Sequence, residues 1–276
     1  MDVVHLMSNT GSMEKKPATL SLERSAEGFL TITLDRAETR NAVNTQMGLE
    51  LRDIFVPLQF EASDVRCIIV TGAGDKAFCA GGDLKERNGM TDGAWRSQHA
   101  IFEEGFYALM NCSVPVIAAV NGAAFGGGLE LALACDFIYA AKSARFAMSE
   151  TSLGIIPGLG GTQNLPRAVG ERRAKEIIMT AKPFTAEEAL EWGMVNQVCE
   201  DAQLMPMALE AARRICANGP VAVRQAKKAI HNGLQTDLRT GLAFEIESYN
   251  RTVVTEDRLE GVQAFTEKRK ANFTGR

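Results

Sequence analysis

The stretch Val120-Asn-Gly-Ala-Ala-Phe-Gly-Gly-Gly-Leu-Glu-Leu-Ala-Leu-Ala-Cys-Asp136 decides how this chain is built. It continues Val114-Pro-Val-Ile-Ala-Ala-Val120, an apolar run of the length of a fully buried strand. Three glycines, Gly126 to Gly128, then turn the chain, and an apolar helix begins near Gly127. Two residues into that helix, among Leu and Ala, stands Glu130. A carboxylate in such company must be desolvated, capped by helix N-terminal N–H groups, or paired. The same turn aims a backbone N–H, that of Gly127, from the positive end of a helix, which suits a developing oxyanion. On this segment alone, a glutamate merely satisfied by its own helix N-terminus fits as well.

Working outward, Phe29-Leu-Thr-Ile-Thr-Leu-Asp35 alternates with period two and reads as a strand. Residues 43–60 carry helical spacing, Cys67-Ile-Ile-Val-Thr71 is a short buried strand, and a helix follows over 94–111. This alternation predicts an α/β fold with helices packed on sheets. From about residue 160 the character changes. Segments 171–181, 185–192, 201–218, 220–232, 236–252 and 257–269 all read as helices, and Gly219-Pro220 punctuates two of them. The expected organisation is a flexible leader over 1–16, a core over 17–200 and a helical C-terminal region over 201–276.

The 276 residues are 46% hydrophobic and 23% charged, an ordinary globular composition. Net charge is −4 with no basic block, which argues against nucleic acid and anionic membranes as partners, since both need clustered Lys and Arg. No stretch has the apolar length to span a bilayer, and the start, MDVVHLMSNTGSMEKK, lacks the basic and apolar regions of a secretory signal. Cys67, Cys79, Cys112, Cys135, Cys199 and Cys216 show no C-x-x-C spacing and read as reduced thiols. A cytoplasmic, soluble protein is expected.

Two more glycine-rich turns flank the central one: Gly72-Ala-Gly-Asp75 running into Cys79-Ala-Gly-Gly-Asp83, and Ile156-Pro-Gly-Leu-Gly-Gly-Thr162. Such turns let backbone N–H groups approach an anion or carbonyl, although each alone is more simply a tight turn. Gly72-Ala-Gly-Asp-Lys-Ala77 matches G-x-G-x-x-A, yet that fingerprint needs a helix to begin inside it. Phe78-Cys-Ala-Gly-Gly follows instead, so no nucleotide cofactor is expected. Glu150, in Phe146-Ala-Met-Ser-Glu-Thr-Ser-Leu-Gly154, reads alone as a loop glutamate. Paired with Glu130 near one reacting centre, it would share acid and base work. There is no G-x-S-x-G elbow. The histidines are His5, His99 and His231, the last two expected on exposed helix surface, and no metal-ligand spacing is present.

Together Arg40-Asn-Ala-Val-Asn44, Ala77 to Lys85, Pro115 to Asp136, Ile156 to Gln163 and Glu260 to Lys270 resemble the crotonase (enoyl-CoA hydratase/isomerase) superfamily, in order and spacing, from about Leu22 to Arg276. The resemblance implies a spiral of repeated ββα units with C-terminal helices that build a homotrimer, often paired into a hexamer. It implies a thioester carbonyl held by the Gly82 and Gly127 N–H groups, with Glu130 and Glu150 holding one water. Glu130 would help activate that water for attack at the β-carbon, and Glu150 would deliver a proton to the α-carbon. The coenzyme A of the substrate would lie along Arg40, Ala42, Ala80, Asp83, Leu84, Lys85 and Gly158. Phe265 and Lys268 would reach a neighbouring subunit's coenzyme A. No cofactor beyond the substrate's own coenzyme A is implied.

Hydratases of the family have both glutamates, so the implied activity is syn hydration of a 2-enoyl-CoA. Asp83 to Arg87, Gly128 to Asp136 and Asp257 to Gly261 resemble the methylglutaconyl-CoA hydratase branch. That branch has been linked to RNA through a lysine-rich helix, and helix 43–60 here has no lysine. Ser149 stands where the family commonly has proline, which leaves the Glu150 loop freer. Asn164 replaces a frequent arginine, and Gly82 a frequent alanine. The alternatives are Δ3,Δ2-enoyl-CoA isomerisation, which needs mainly Glu150, and a non-catalytic thioester-binding protein. Residues 86–105 are expected to shape the acyl pocket.

Overall fold

The structure is a computed structural model and describes residues 16–60 and 64–276. The expected leader, Lys16 apart, lies outside the described residues, and so does His5. The first strands are β1 Leu20–Arg24, β2 Phe29–Leu34, β3 Cys67–Gly72, β4 Ala77–Cys79 and β5 Val116–Val120. They are followed by β6 Ala123–Phe125, β7 Phe137–Ala141, β8 Arg145–Ala147, β9 Phe184–Thr185 and β10 Gln197–Cys199. The strands form two sheets, one of six in the order β1-β2-β3-β5-β7-β10 and one of four in the order β4-β6-β8-β9. The pairs β3/β4, β5/β6 and β7/β8 each give one strand to each sheet, and from β3 to β8 neighbours within a sheet run parallel. Each step of the chain therefore repeats a ββα unit one strand further along, which is the expected spiral.

The helices that follow the early strands are α1 Thr45–Leu58, α2 Leu84–Arg87, α3 Asp92–Met110 and α4 Gly127–Leu133. Next come α5 Gly161–Val169, α6 Glu171–Thr180, α7 Ala186–Glu191 and α8 Leu204–Cys216. The chain ends in α9 Pro220–Gly233, α10 Leu238–Val253 and α11 Glu256–Glu267. Residues 86–105 are thus the end of α2, a turn and most of α3, with Thr91 capping α3 by accepting the Ala94 N–H.

Every residue of β3 and β5 is buried, because both faces of the large sheet are covered. Ile68 and Val70 point into the main core with Phe55, Phe78 and Phe106, while Cys67 and Ile69 face Leu204, Ala208 and Ala212 of α8. This two-sided burial explains why these strands read as continuous apolar runs rather than alternating ones. The outer β2 still alternates in part, with Thr31 and Thr33 only half-buried.

The small sheet places the glycine turns. Cys79 pairs with Ala124, and Phe125 with Ala147, so β4, β6 and β8 end side by side. The turns leaving those three ends carry Gly82, Gly127 and Glu150. Close approach of α4 to β4 is possible only because position 128 is glycine: a β-carbon there would stand 2.0 Å from the Cys79 carbonyl oxygen. Gly128→Ala must push α4 off β4. Overpacking of this kind costs roughly 1–3 kcal/mol, and the expected result is a thermal midpoint lowered by about 5 °C or more. An unchanged melting curve would show that α4 is not seated against β4 in this way.

Candidate active site

Asn41, fully buried with φ of 56°, sets the first turn. Its Nδ2 donates to the carbonyls of Ala73 and Ala77, and its Oδ1 accepts the Arg36 N–H. This pins the Arg40–Asn44 loop against β4. From that loop Val43 donates to the Gly81 carbonyl and accepts the Asp83 N–H, 2.8 and 2.9 Å apart, so Gly82 is held between two fixed neighbours. Beside it, Gly126 takes φ of 52° and ψ of −126°, and its N–H donates to the Ala147 carbonyl. A β-carbon on Gly127 would lie 3.7 Å from the Gly82 nitrogen, and one on Gly81 would lie 3.4 Å from the Gly127 nitrogen. Two N–H groups therefore stand side by side, one of them at the positive end of α4, and among the described residues neither has an acceptor.

The two carboxylates flank this pair. Glu130, 2% exposed, accepts the N–H groups of Leu159 and Gly161 on one oxygen, at 2.7 and 2.8 Å. Of the three fates open to it in the sequence, it is both desolvated and capped, but the caps come from the third glycine turn, not from its own helix. Burial pushes its pKa up, and the Gly161 and Leu159 N–H groups pull partly back. Glu150, 8% exposed, starts a short 3₁₀ turn (Glu150–Leu153). Both of its oxygens are buried without a protein hydrogen-bond partner among the described residues. One of them would lie 3.1 Å from a β-carbon on Gly126, so it sits over the turn that leads to Gly127. Burial, with the charge of Glu130 adding to it, pushes the Glu150 carboxyl up to about 7.

The Glu150 turn is tied down rather than freer. Ser152 donates its N–H and Oγ–H to the Ser149 carbonyl, and Thr151 Oγ1 donates to the Ile178 carbonyl at 2.6 Å. Ser149 has φ of −92°, well off the value a proline ring prefers. Asn164 turns its amide to the Met110 sulfur.

The other expected residues divide. Arg40, Leu84, Lys85 and Gly158 are exposed, while Ala42 is buried and Ala80 half-buried at the start of the Gly82 turn. The Asp83 carboxylate already has protein partners: it caps α2 through the Lys85 and Glu86 N–H groups and pairs with Arg36 at 2.9 Å. Burial alone would raise its pKa, but these partners outweigh burial and hold it low. Phe265 and Lys268 lie at the exposed end of α11, far along the chain from the carboxylates.

Two residues of the stretch expected to shape the acyl pocket, neither singled out in the sequence, stand near the site. His99 is half-buried, not surface-exposed as expected, and its Nε2 would meet a β-carbon on Gly158 at 2.7 Å. Arg87 lies against Gly82: a β-carbon there would be 3.5 Å from its Cζ and Nη1. Both fall within residues 86–105, and the helical phase of 95, 98, 99 and 102 puts Trp95, Gln98, His99 and Phe102 on one face of α3. His231 is exposed, as expected. No cluster of possible metal ligands occurs among the described residues.

The arrangement can hold a carbonyl oxygen on two N–H groups while two buried carboxyl groups work at adjacent carbons. The sequence matches the family described as Enoyl-CoA hydratase/isomerase over residues 24–276. The short-chain-enoyl-CoA hydratase of Clostridium acetobutylicum is 43% identical over 87% of this chain and 91% of its own. The mitochondrial methylglutaconyl-CoA hydratase of Mus musculus is 42% identical over 92% of this chain and 82% of its own. The crystal structure of an enoyl-CoA hydratase from Bacillus anthracis superposes with a TM-score of 0.91 at 46% identity, covering 94% of this chain and all of that one. With fold, site and kinship in agreement, the chain belongs to the enoyl-CoA hydratase/isomerase family of the crotonase superfamily.

Proposed function

We propose that Glu130 and Glu150 together add water to a 2-enoyl-CoA whose thioester oxygen rests on the Gly82 and Gly127 N–H groups. The chain is an enoyl-CoA hydratase, and the observation that carries this mechanism is the pair of buried carboxyl groups beside two unengaged N–H groups. The thioester polarised by these donors becomes electron-poor at its β-carbon. Glu130, ionised, takes a proton from water as the oxygen attacks that carbon. Glu150, protonated, gives its proton to the α-carbon as the enolate collapses. The working state of the pair holds one proton in total. Hydration begins with that proton on Glu150 and ends with it on Glu130. No metal or cofactor takes part, and coenzyme A enters only with the substrate, along the Arg40, Ala42, Ala80, Asp83, Leu84, Lys85 and Gly158 face.

The assembly proposed is a homotrimer or a pair of trimers. Ile230 of α9, Leu234 just past its end, Leu238 of α10 and Val262 and Phe265 of α11 leave large apolar side chains exposed, as surfaces for subunit contact would. Phe265 and Lys268 would then meet a neighbouring subunit's substrate. No helix of the described residues is long and apolar enough to cross a membrane, and a cytoplasmic enzyme is proposed.

Isomerisation through Glu150 alone is the competing scheme, and it would leave the Leu159 and Gly161 N–H groups holding Glu130 for no chemical purpose. The ultraviolet absorbance of the enoyl thioester, followed with crotonyl-CoA and 3-methylglutaconyl-CoA, separates the two. Glu130→Gln and Glu150→Gln should each lower kcat by about 10²–10⁴-fold, the usual worth of a positioned acid or base. No bleaching by the wild type would favour the isomerase, and a mild loss in Glu130→Gln would sink the two-carboxylate mechanism.

The pH profile tests the single shared proton. Adding water to a double bond releases no net proton, so kcat/KM must follow one bell-shaped curve in both directions. Its alkaline limb should set in near pH 7, where the raised Glu150 carboxyl loses its proton. A profile flat between pH 6 and 8 would count against Glu150 as the acid.

A further inference from the structure

A cleft of about 680 Å³ opens between α9 and the C-terminal ends of α1 and α3. It is remote from the Gly82 turn. α1 begins beside that turn, and its 14 residues carry the chain about 20 Å away before the cleft begins. Gln59 and Phe60, at the end of α1, and Met110, at the end of α3, line one side. From the other side α9 contributes Arg224, Lys227, Lys228 and His231. The spacing of 224, 228 and 231 puts those three on one face of the helix. α9 contains no Asp or Glu, and among the described residues none lines the cleft. Like charges four residues apart destabilise a helix, so this grouping, in a chain of net charge −4, works against the helix that carries it.

The acids nearest the cleft are already engaged. Lys227 donates to the Asp136 carboxylate and the Val114 carbonyl, at 2.7 and 2.8 Å, which gives it a structural partner. Asp257 lies close enough for its charge to support Arg224, but its oxygens accept the Thr274 and Gly275 N–H groups. Burial and the like charge of Arg66 weigh against the Arg224 cation more than Asp257 supports it. The half-buried Arg224 and the exposed Lys228 and His231 make no side-chain hydrogen bond or ion pair among the described residues. Two further atoms of the lining residues, Ser113 Oγ and Gln225 Oε1, are buried without a hydrogen-bond partner among the described residues. Native proteins rarely leave such groups unsatisfied.

We infer that this cleft is a second binding site, for a phosphate-bearing anion. Two unpaired cations and a histidine exceed what one carboxylate matches, whereas a phosphate group carries up to two charges and three oxygens. Arg224 supplies a planar fork and Lys228 a point charge. The Ser113 hydroxyl can donate to the same anion, and Gln225 Oε1 can accept from a hydroxyl or amine on the rest of the ligand. The exposed Phe60 ring at the cleft offers a face on which a base can stack. Ile230 and Leu234, proposed for subunit contact, lie roughly 80–120° round α9 from the three basic residues, so assembly leaves the cleft open.

Calorimetric titration of the assembled full chain with inorganic pyrophosphate and with ATP makes the test, one site per subunit being expected. Arg224→Gln should weaken binding at least about tenfold, the worth of one charge-assisted hydrogen bond, while the KM for crotonyl-CoA stays as in the wild type. The surface variant Lys228→Glu should weaken binding as much, and it decides the matter if Arg224→Gln does not fold. Tighter binding of ATP would make the ligand a nucleotide and equal binding a polyphosphate, and either upholds the site. Absence of binding to the wild type, or unweakened binding by both cleft variants, would overturn the inference. So would displacement of pyrophosphate by coenzyme A together with loss of binding in Lys85→Gln, which would put the anion on the substrate face. Glutarate binding as tightly as pyrophosphate would overturn the assignment to phosphate.

Discussion

The seating of α4 against β4 is the constraint on which the rest of the site depends. Cys79 presents its carbonyl where a side chain at position 128 would otherwise be, and only glycine lets the backbone come that close. Once seated, α4 brings Gly127 beside Gly82 and lifts Glu130 into the core a turn later. The neighbouring β8, in register through Phe125 and Ala147, then delivers Glu150 to the same place. Three strands of a minor sheet thus do what a single continuous loop could not. They hold two donors and two acids at fixed separations, because hydrogen-bonded strands do not slide by less than a residue.

The two carboxyl groups are equally buried in practice and yet differently supported. Glu130 has two N–H donors on one oxygen, which favour its ionised form, whereas among the described residues no other residue donates to Glu150, and Glu130's charge adds to the cost of ionising it. Burial lifts both, and the hydrogen bonds separate them. In the proposed mechanism that asymmetry makes Glu130 the base and Glu150 the acid for hydration, without appeal to any difference in residue type. It also explains why the third glycine turn must be glycine-rich: Leu159 and Gly161 turn their N–H groups to a carboxylate 29 and 31 residues earlier in the chain.

Much of this was legible in the sequence, and the legible parts share a cause. Buried strands such as Cys67–Gly72 and helices such as Asp92–Met110 announce themselves through local patterns, and so does the strand–glycine–helix step at Glu130. Pairwise facts across the fold left no local trace. Nothing near Glu130 names Leu159 as its partner. Nothing near Asp83 shows that Arg36, 47 residues earlier, takes up its carboxylate. Ser149 was read as loosening its turn because proline is rigid, and the hydrogen bonds from Ser152 supply the rigidity instead. His99 carried polar neighbours in sequence and so read as surface, although its ring packs on Gly158.

Arg87 shows the same limit from the other side. In sequence it is one charge in the run Lys85-Glu-Arg87, where alternating charges normally mark a solvated helix face. In the fold Lys85 is exposed and Arg87 is not, because α2 is a single turn whose last residue falls under α3. Burial of the last residue of so short a helix is set by what packs over it, and Trp95 and Phe102 of α3 take the Arg87 guanidinium at 4.4 and 5.4 Å from their ring centres.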